Sequence, residues 1–181
     1  MENNSESTAS SSLVALKYGL ISGLLHFLFS ILTNVMGWAE EFQELIGWIS
    51  GIWTLLITVT MTFLCLREFR AQNKGFIGYG EGLGLSSLLG ALSGLASGAF
   101  NYVYIEFIDN GLLQRQIELV RLRMEDQGLS ESEIKNSLKI FEMMLDPRIQ
   151  FIGLVFSSLL FFFLAGLIVS AVVKREKSIF E

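Results

Sequence analysis

Residues 78–108 read GYGEGLGLSSLLGALSGLASGAFNYVYIEFI, and this stretch decides the fold. From about Leu83 to Ile108 its only charge is Glu106, and it exceeds the roughly 20 residues that a bilayer-spanning helix needs. A small residue recurs at every fourth position, through Gly78, Gly82, Ser86, Gly90, Gly94 and Gly98. Residues four apart share one helix face, so these six form a continuous stripe. Along such a stripe a second helix backbone approaches closely and gains dispersion contacts, which is how helices associate in lipid, where hydrophobic burial offers no drive. Eight of the 17 glycines lie between Gly75 and Gly98, so they read as a packing surface rather than as flexible chain.

Three further apolar blocks are as long: about Leu13–Met36, Leu45–Leu66 and Ile149–Val173. The 181 residues are 51% hydrophobic and 17% charged, with a mean hydropathy of +0.52, which disfavours an ordinary soluble globule. A net charge of −5 gives no case for nucleic acid, and the single cysteine, Cys65, excludes an intramolecular disulfide or a multi-cysteine metal site. Asp146 before Pro147 suits an N-cap and first-turn proline for the last helix. Trp38, Trp48, Tyr102 and Tyr104 suit one membrane interface and Tyr79 the other. The fold class expected is all-α: an integral membrane four-helix bundle with an extramembrane helical hairpin between the third and fourth spans.

Residues 1–12 are polar, rich in Ser and Thr, and lack the basic segment that precedes a signal peptide's apolar core, so they read as a disordered tail before an uncleaved helix. Arg67, Arg70 and Lys74 follow the second span, and Lys174, Arg175 and Lys177 follow the fourth, in a basic tail over 174–181. Basic flanks face the cytoplasm, which puts both termini on the inner side of a cytoplasmic (inner) membrane. Glu40, Glu41 and Glu44 suit the opposite face, and Lys17 can snorkel inward. The segment between the third and fourth spans carries six basic residues, from Arg115 to Arg148, diluted among eight acidic ones. It is placed outside, with the inverted topology as the alternative.

That segment, 112–146, reads as two helices broken at Gly128. Leu113, Ile117, Val120 and Met124 form one stripe, and Ile134, Leu138, Phe141 and Leu145 form another with the same spacing. Gly128 supplies the stop, and Ser130 with Glu133 matches a capping box. Helix connections usually take 2 to 8 residues, so an ordered projection of this length points to a recognition or self-association surface. A plain connector and a helix pair lying on the bilayer are the other readings.

The first span carries its own small row, Ala15, Gly19 and Gly23, and a close crossing between the first and third spans is one solution for both rows; a homodimer through the third span and a flexible, gating role for the glycines are the others. Polar residues recur too: Ser22, His26 and Ser30 in the first span, and Ser50, Thr54, Thr58 and Thr62 in the second. Hydroxyls of this kind satisfy themselves on the preceding turn or bond weakly between helices; the sharper reading is a solute or ion path. His26, the only histidine, falls near mid-membrane by count, where an ionisable residue is a functional candidate. A hydrogen bond from a hydroxyl such as Thr54 is the structural alternative. Lys17 and Glu81 can pair at the cytoplasmic side. Phe151, Phe156 and Phe161 to Phe163 suit lipid contact and packing.

No metalloprotease, nucleophile-elbow or phosphate-loop motif occurs, and Gly80-Glu81-Gly82-Leu83-Gly84 lacks the strand a dinucleotide site requires. Neither a cofactor nor a metal site is expected. The opening LKYGLISGLL of the first span, the Gly78-Tyr79-Gly80-Glu81 entrance to the third and its YVYIEFIDN end resemble the domain of unknown function 4199 family, small membrane proteins typical of Bacteroidota. The resemblance implies four spans with a soluble insertion before the last, and carries no activity, cofactor or catalytic residue. The family pattern has Pro where this chain has Asn110, which still makes a turn with Asp109 and Gly111. The functional expectation is a non-enzymatic envelope protein whose hairpin and glycine face mediate assembly, as a homo-oligomer or with another envelope membrane protein. The alternative is a subunit of a small oligomeric transporter or channel that uses His26 and the hydroxyl rows.

Overall fold

The computed structural model describes residues 3–38 and 42–175. Six α-helices follow in order among them: α1 (Asn3–Val35), α2 (Gln43–Gln72), α3 (Tyr79–Val103), α4 (Leu112–Asp126), α5 (Glu131–Leu145) and α6 (Pro147–Val173). A π turn over Tyr104–Ile108 extends α3. Four segments are long and apolar enough to cross a membrane, Ser11–Val35, Glu44–Gln72, Tyr79–Ile108 and Pro147–Val173. The protein is an all-α, multi-pass membrane bundle.

The polar segment expected as a disordered tail over 1–12 is helical from Asn3. Propagating a helix from the apolar span adds one hydrogen bond per residue fixed, whereas only nucleation is costly, and nothing between Asn3 and Ser12 is a helix breaker. Glu40, Glu41 and the tail beyond Arg175 lie outside the described residues. Arg148 N–H donates to Asp146 Oδ1 at 2.8 Å with Pro147 in the first turn, the expected start of α6.

The stripe on α3 works as a packing surface, though against a different partner. A Cβ added at Gly94 would lie 2.7 Å from Val155 Cα, and one at Gly90 would lie 2.7 Å from Phe162 Cβ. Gly82 faces Ser170, Gly98 faces the Phe151 ring, and Ser86 meets Gly166. The row therefore seats α6, where Ser158, Gly166 and Ser170 make the reciprocal small surface. The small row of α1 packs on another flank of α3: Gly19 against Leu92 and Ser93, Gly23 against Ser93, Ala96 and Ser97, while Ala15 is fully buried. Gly78 caps α3 without a close neighbour and drops out of the row. With both flanks of α3 occupied inside one chain, the expected pairing of the two glycine rows is replaced by a sandwich, α1 on α3 on α6.

The core lies toward the end of the bundle that carries the basic flanks. There Val14, Ala15, Cys65, Leu66, Phe69, Leu89, Phe162 and Val169 pack together. Ile77 and Arg175 exchange two backbone hydrogen bonds (3.0 and 2.9 Å), and Arg70 Nη1 donates to Val173 O at 3.0 Å, tying the α2–α3 turn to the end of α6. Lys17 pairs with Glu68 (2.7 Å), which also accepts from Tyr18 Oη at 2.7 Å; the expected Lys17–Glu81 pair does not form. Glu81 instead accepts from Gly78 N–H at 3.2 Å and caps its own helix.

Toward the other end the bundle opens. All buried residues of α2 lie at or beyond Thr58, and between Glu44 and Ile57 none is buried. Here the π turn buries Tyr104 and Ile105 against Leu112, with Phe27, Ile31 and Leu113 around them. Tyr104 is therefore a packing residue, edge-on to Phe27, rather than an interface anchor, whereas Trp48 is exposed. The hairpin follows as expected: α4 packs on α5, Gly128 takes φ +74°, and Glu133 Oε2 accepts from Ser130 N–H (2.9 Å) and Ser130 Oγ (2.6 Å). Its stripes, from Leu113 to Leu145, are buried or half-buried throughout. Arg115 bridges to Asp109 at 2.6 Å across the turn into α4, and this guanidinium holds the Asp109 carboxyl below the usual carboxylate range.

Candidate intramembrane cavity

Where α2 leaves the bundle, the four spans line a cavity of about 580 Å³ that is open to the outside. Its lining comes from a single chain. His26, Phe29, Ser30 and Thr33 line it from α1, and Ser50, Trp53, Thr54 and Thr58 from α2. Ser97 and Asn101 come from α3, and Gln150, Gly153, Leu154, Ser157, Ser158, Phe161 and Phe162 from α6. Of the five intramembrane polar candidates, the structure brings His26, Ser30, Thr54 and Thr58 together. Ser22 is elsewhere, fully buried and accepting from Ser93 Oγ at 3.1 Å across the α1–α3 seam. No hydrogen bond joins His26 to Thr54 among the described residues, so the proposed satisfaction of the imidazole by that hydroxyl is not what holds it.

Four hydroxyls on the wall, those of Thr33, Ser50, Ser97 and Ser157, donate backwards along their own helices. Ser50 donates to Ile46 O (2.6 Å), Thr33 to Ser30 O (2.9 Å) and Ser157 to Gly153 O (2.7 Å). Each hydroxyl has one proton, so these turn lone pairs to the cavity. Two groups differ. Trp53 Nε1 and Thr58 Oγ1 are buried with no hydrogen-bond partner, an arrangement that costs roughly 1–3 kcal/mol per group in a dry interior. The Phe29 and Trp53 rings stack at 5.0 Å, which fixes the indole on the wall.

The end nearer the hairpin is closed by Asn101 Nδ2 donating to Gln150 Oε1 at 3.2 Å. Beyond it lies a second space of about 90 Å³, lined by Ser30, Asn34, Asn101, Tyr104, Leu112, Gln116 and Gln150 among others. Asn101 and Gln150, with Ser30, line both. Sequence reasoning missed this pair because a polar residue near a span end reads as interfacial, and it missed Trp53 because an indole reads as apolar. The visible signal was Asn101 alone, an amide seven residues inside the predicted end of the third span.

The family follows from coverage. The sequence model of the protein family of unknown function DUF4199 matches residues 17–175. The chain belongs to the DUF4199 family. The match runs through all four spans and the hairpin, as the motifs of the first and third spans implied, so the cavity lies wholly in the part that is DUF4199. No curated protein and no solved structure matches the chain. No metal-binding group of His, Cys, Asp and Glu occurs among the described residues of this DUF4199 protein.

Proposed function

We propose that this protein is a non-enzymatic membrane protein that holds a small uncharged molecule in its intramembrane cavity and exchanges it across one face of the membrane, a role of the transporter class. The observation that carries the reading is a cavity of ligand size whose wall sets the polar side chains of His26, Ser30 and Thr54 among apolar ones. Ligand pockets of about 300–1,000 Å³ combine apolar walls with a few placed polar groups, and this wall has that mixture. No Asp, Glu, Lys or Arg lines it. A full charge brought to this depth would meet no countercharge, which favours a neutral occupant.

The test uses Trp53 as reporter. With Trp38 and Trp48 replaced by Phe, indole emission is titrated with glycerol, urea, acetamide, oleamide and monooleoylglycerol in phosphatidylcholine vesicles. A saturable change with at least one probe, weakened by His26→Ala, is expected. No saturable change with any of them overturns the reading.

The hairpin supports a second reading, assembly with another copy or another envelope protein. Ile140, Met143 and Met144 on α5 remain 60%, 59% and 59% exposed after the hairpin has closed. The glycine face no longer contributes to that reading, since α6 and α1 already occupy α3. Crosslinking from a cysteine at Lys139 in native membranes is expected to capture a partner chain, and empty captures remove assembly. The hairpin is assigned to the non-cytoplasmic side on the basic flanks; labelling of cysteines at Asn110 and Ser178 from opposite sides tests this.

A further inference from the structure

The seams between the four spans differ. Gly90 and Gly94 close α3 on α6, Gly19 and Gly23 close α1 on α3, and the Phe29–Trp53 stack bridges α1 and α2. Between α2 and α6 neither a close glycine contact nor a ring stack occurs among the described residues. Gly153, Ser157 and Phe161 line the cavity and are exposed. They stand four residues apart on α6, well inside the span Pro147–Val173, so the opening they mark lies at bilayer depth. Across from them α2 has no buried residue before Thr58.

We propose that the cavity is loaded sideways from the bilayer through this α2–α6 fissure, and that its ligand is a neutral amphiphile whose head group both donates and accepts hydrogen bonds. This rests on the cavity being the binding site. The head-group chemistry follows from the wall. His26 lines the cavity, and a neutral imidazole carries one N–H donor and one acceptor nitrogen, so it matches a head group that both accepts and donates. The lone pairs of Ser50 and Ser157, whose protons are committed to carbonyls, require a donor. The fissure supplies the place for an apolar chain, which leaves between the two helices into lipid without crossing a polar surface.

Gly153 gives a clean test. A Cβ there meets nothing within 4 Å, so the side chain of Gly153→Leu starts in open space at the mouth of the fissure, and leucine favours helix over glycine. In the protein whose only tryptophan is Trp53, monooleoylglycerol in phosphatidylcholine vesicles is compared with glycerol in the aqueous phase, the same head group with and without its chain. The expected result is a saturable emission change with monooleoylglycerol, weakened at least tenfold by Gly153→Leu and also by His26→Ala. Glycerol, urea or acetamide saturating equally in the parent and in Gly153→Leu overturns lateral loading while leaving the cavity a binding site. A monooleoylglycerol response untouched by Gly153→Leu also overturns it, and silence with every probe removes the binding site itself. Unchanged helicity by circular dichroism separates a blocked mouth from a misfolded variant.

Discussion

Asn101 and Gln150 join α3 to α6 where the larger cavity meets the smaller one, through a single amide-to-amide hydrogen bond of 3.2 Å. Gln150 is held in turn by its own Nε2, which donates to Leu145 O at 2.9 Å at the end of α5. The partition between the two spaces is thus anchored to the hairpin.

Replacing Gln150 with Ala is expected to open that partition. A neutral hydrogen bond contributes about 1 kcal/mol, which corresponds to roughly a fivefold change in the open population. A cysteine at Thr54, in a Cys65→Ala background, should react several-fold faster with a water-soluble maleimide when Gln150 is Ala. An unchanged rate contradicts the partition.

Glycines on α3 should separate into two groups by what they face. Gly94→Ala forces a Cβ against the backbone of α6, at 2.7 Å from Val155 Cα and 2.9 Å from Leu154 O, and is expected to cost about 1–3 kcal/mol as overpacking. Gly84 has nothing within 4 Å, and Gly84→Ala is expected to be neutral or to stabilise by up to about 1 kcal/mol. Thermal unfolding in detergent measures both, and equal effects would refute the assignment of faces.

At the basic end, the acidic residue that matters to Lys17 is Glu68. Glu68→Ala removes the acceptor shared by Lys17 and Tyr18 and is expected to lower stability by up to about 1 kcal/mol, the range of a partly exposed ion pair. In a double-mutant cycle with Lys17→Ala, coupling should appear with Glu68 and be absent with Glu81.

The hairpin carries a pH dependence of known sign. Hydrogen bonds from Ser130 hold the Glu133 carboxyl below its ordinary value, so the ionised form favours the capped helix. The stabilisation is complete above the unfolded-state value of about 4.3 and is lost as pH falls through the lower, folded-state value. Helicity of α5, followed by amide hydrogen exchange, should decline over that acid range, and Glu133→Gln should remove this contribution.

The elements were legible where local chemistry determines them. Span lengths follow from hydropathy, and the hairpin follows from two 3.6-residue stripes, Gly128 and the Ser130–Glu133 cap, all encoded within a few residues of where they act. The partner of the glycine row was not, because Gly90 and Gly94 specify only that some backbone comes close. The matching surface on α6 is small at Ser158, Gly166 and Ser170 but interrupted by Phe162, which fits over Gly90 and hides the pattern. The cavity was half legible: His26, Ser30, Thr54 and Thr58 stand out as polar residues in apolar helices. Trp53 and Gln150 acquire their roles only from the departure of α2 and the docking of the hairpin, which are long-range facts.

The π turn at the end of α3 sets the direction in which the hairpin leaves the membrane. Asp109 N–H reaches back five residues to Tyr104 O at 2.9 Å, so this turn holds one residue more than an α turn. Each residue of an α-helix advances about 100° around the axis. Deleting one residue, Phe107 for example, would let the turn close as ordinary α-helix and swing α4 and α5 around the bundle by about that angle. Leu112 would then leave its seat on Tyr104 and Ile105, and Gln116 would no longer cover the smaller cavity. The extra residue acts as an angular spacer, and the hairpin's bearing on the bundle is adjustable in steps of one amino acid.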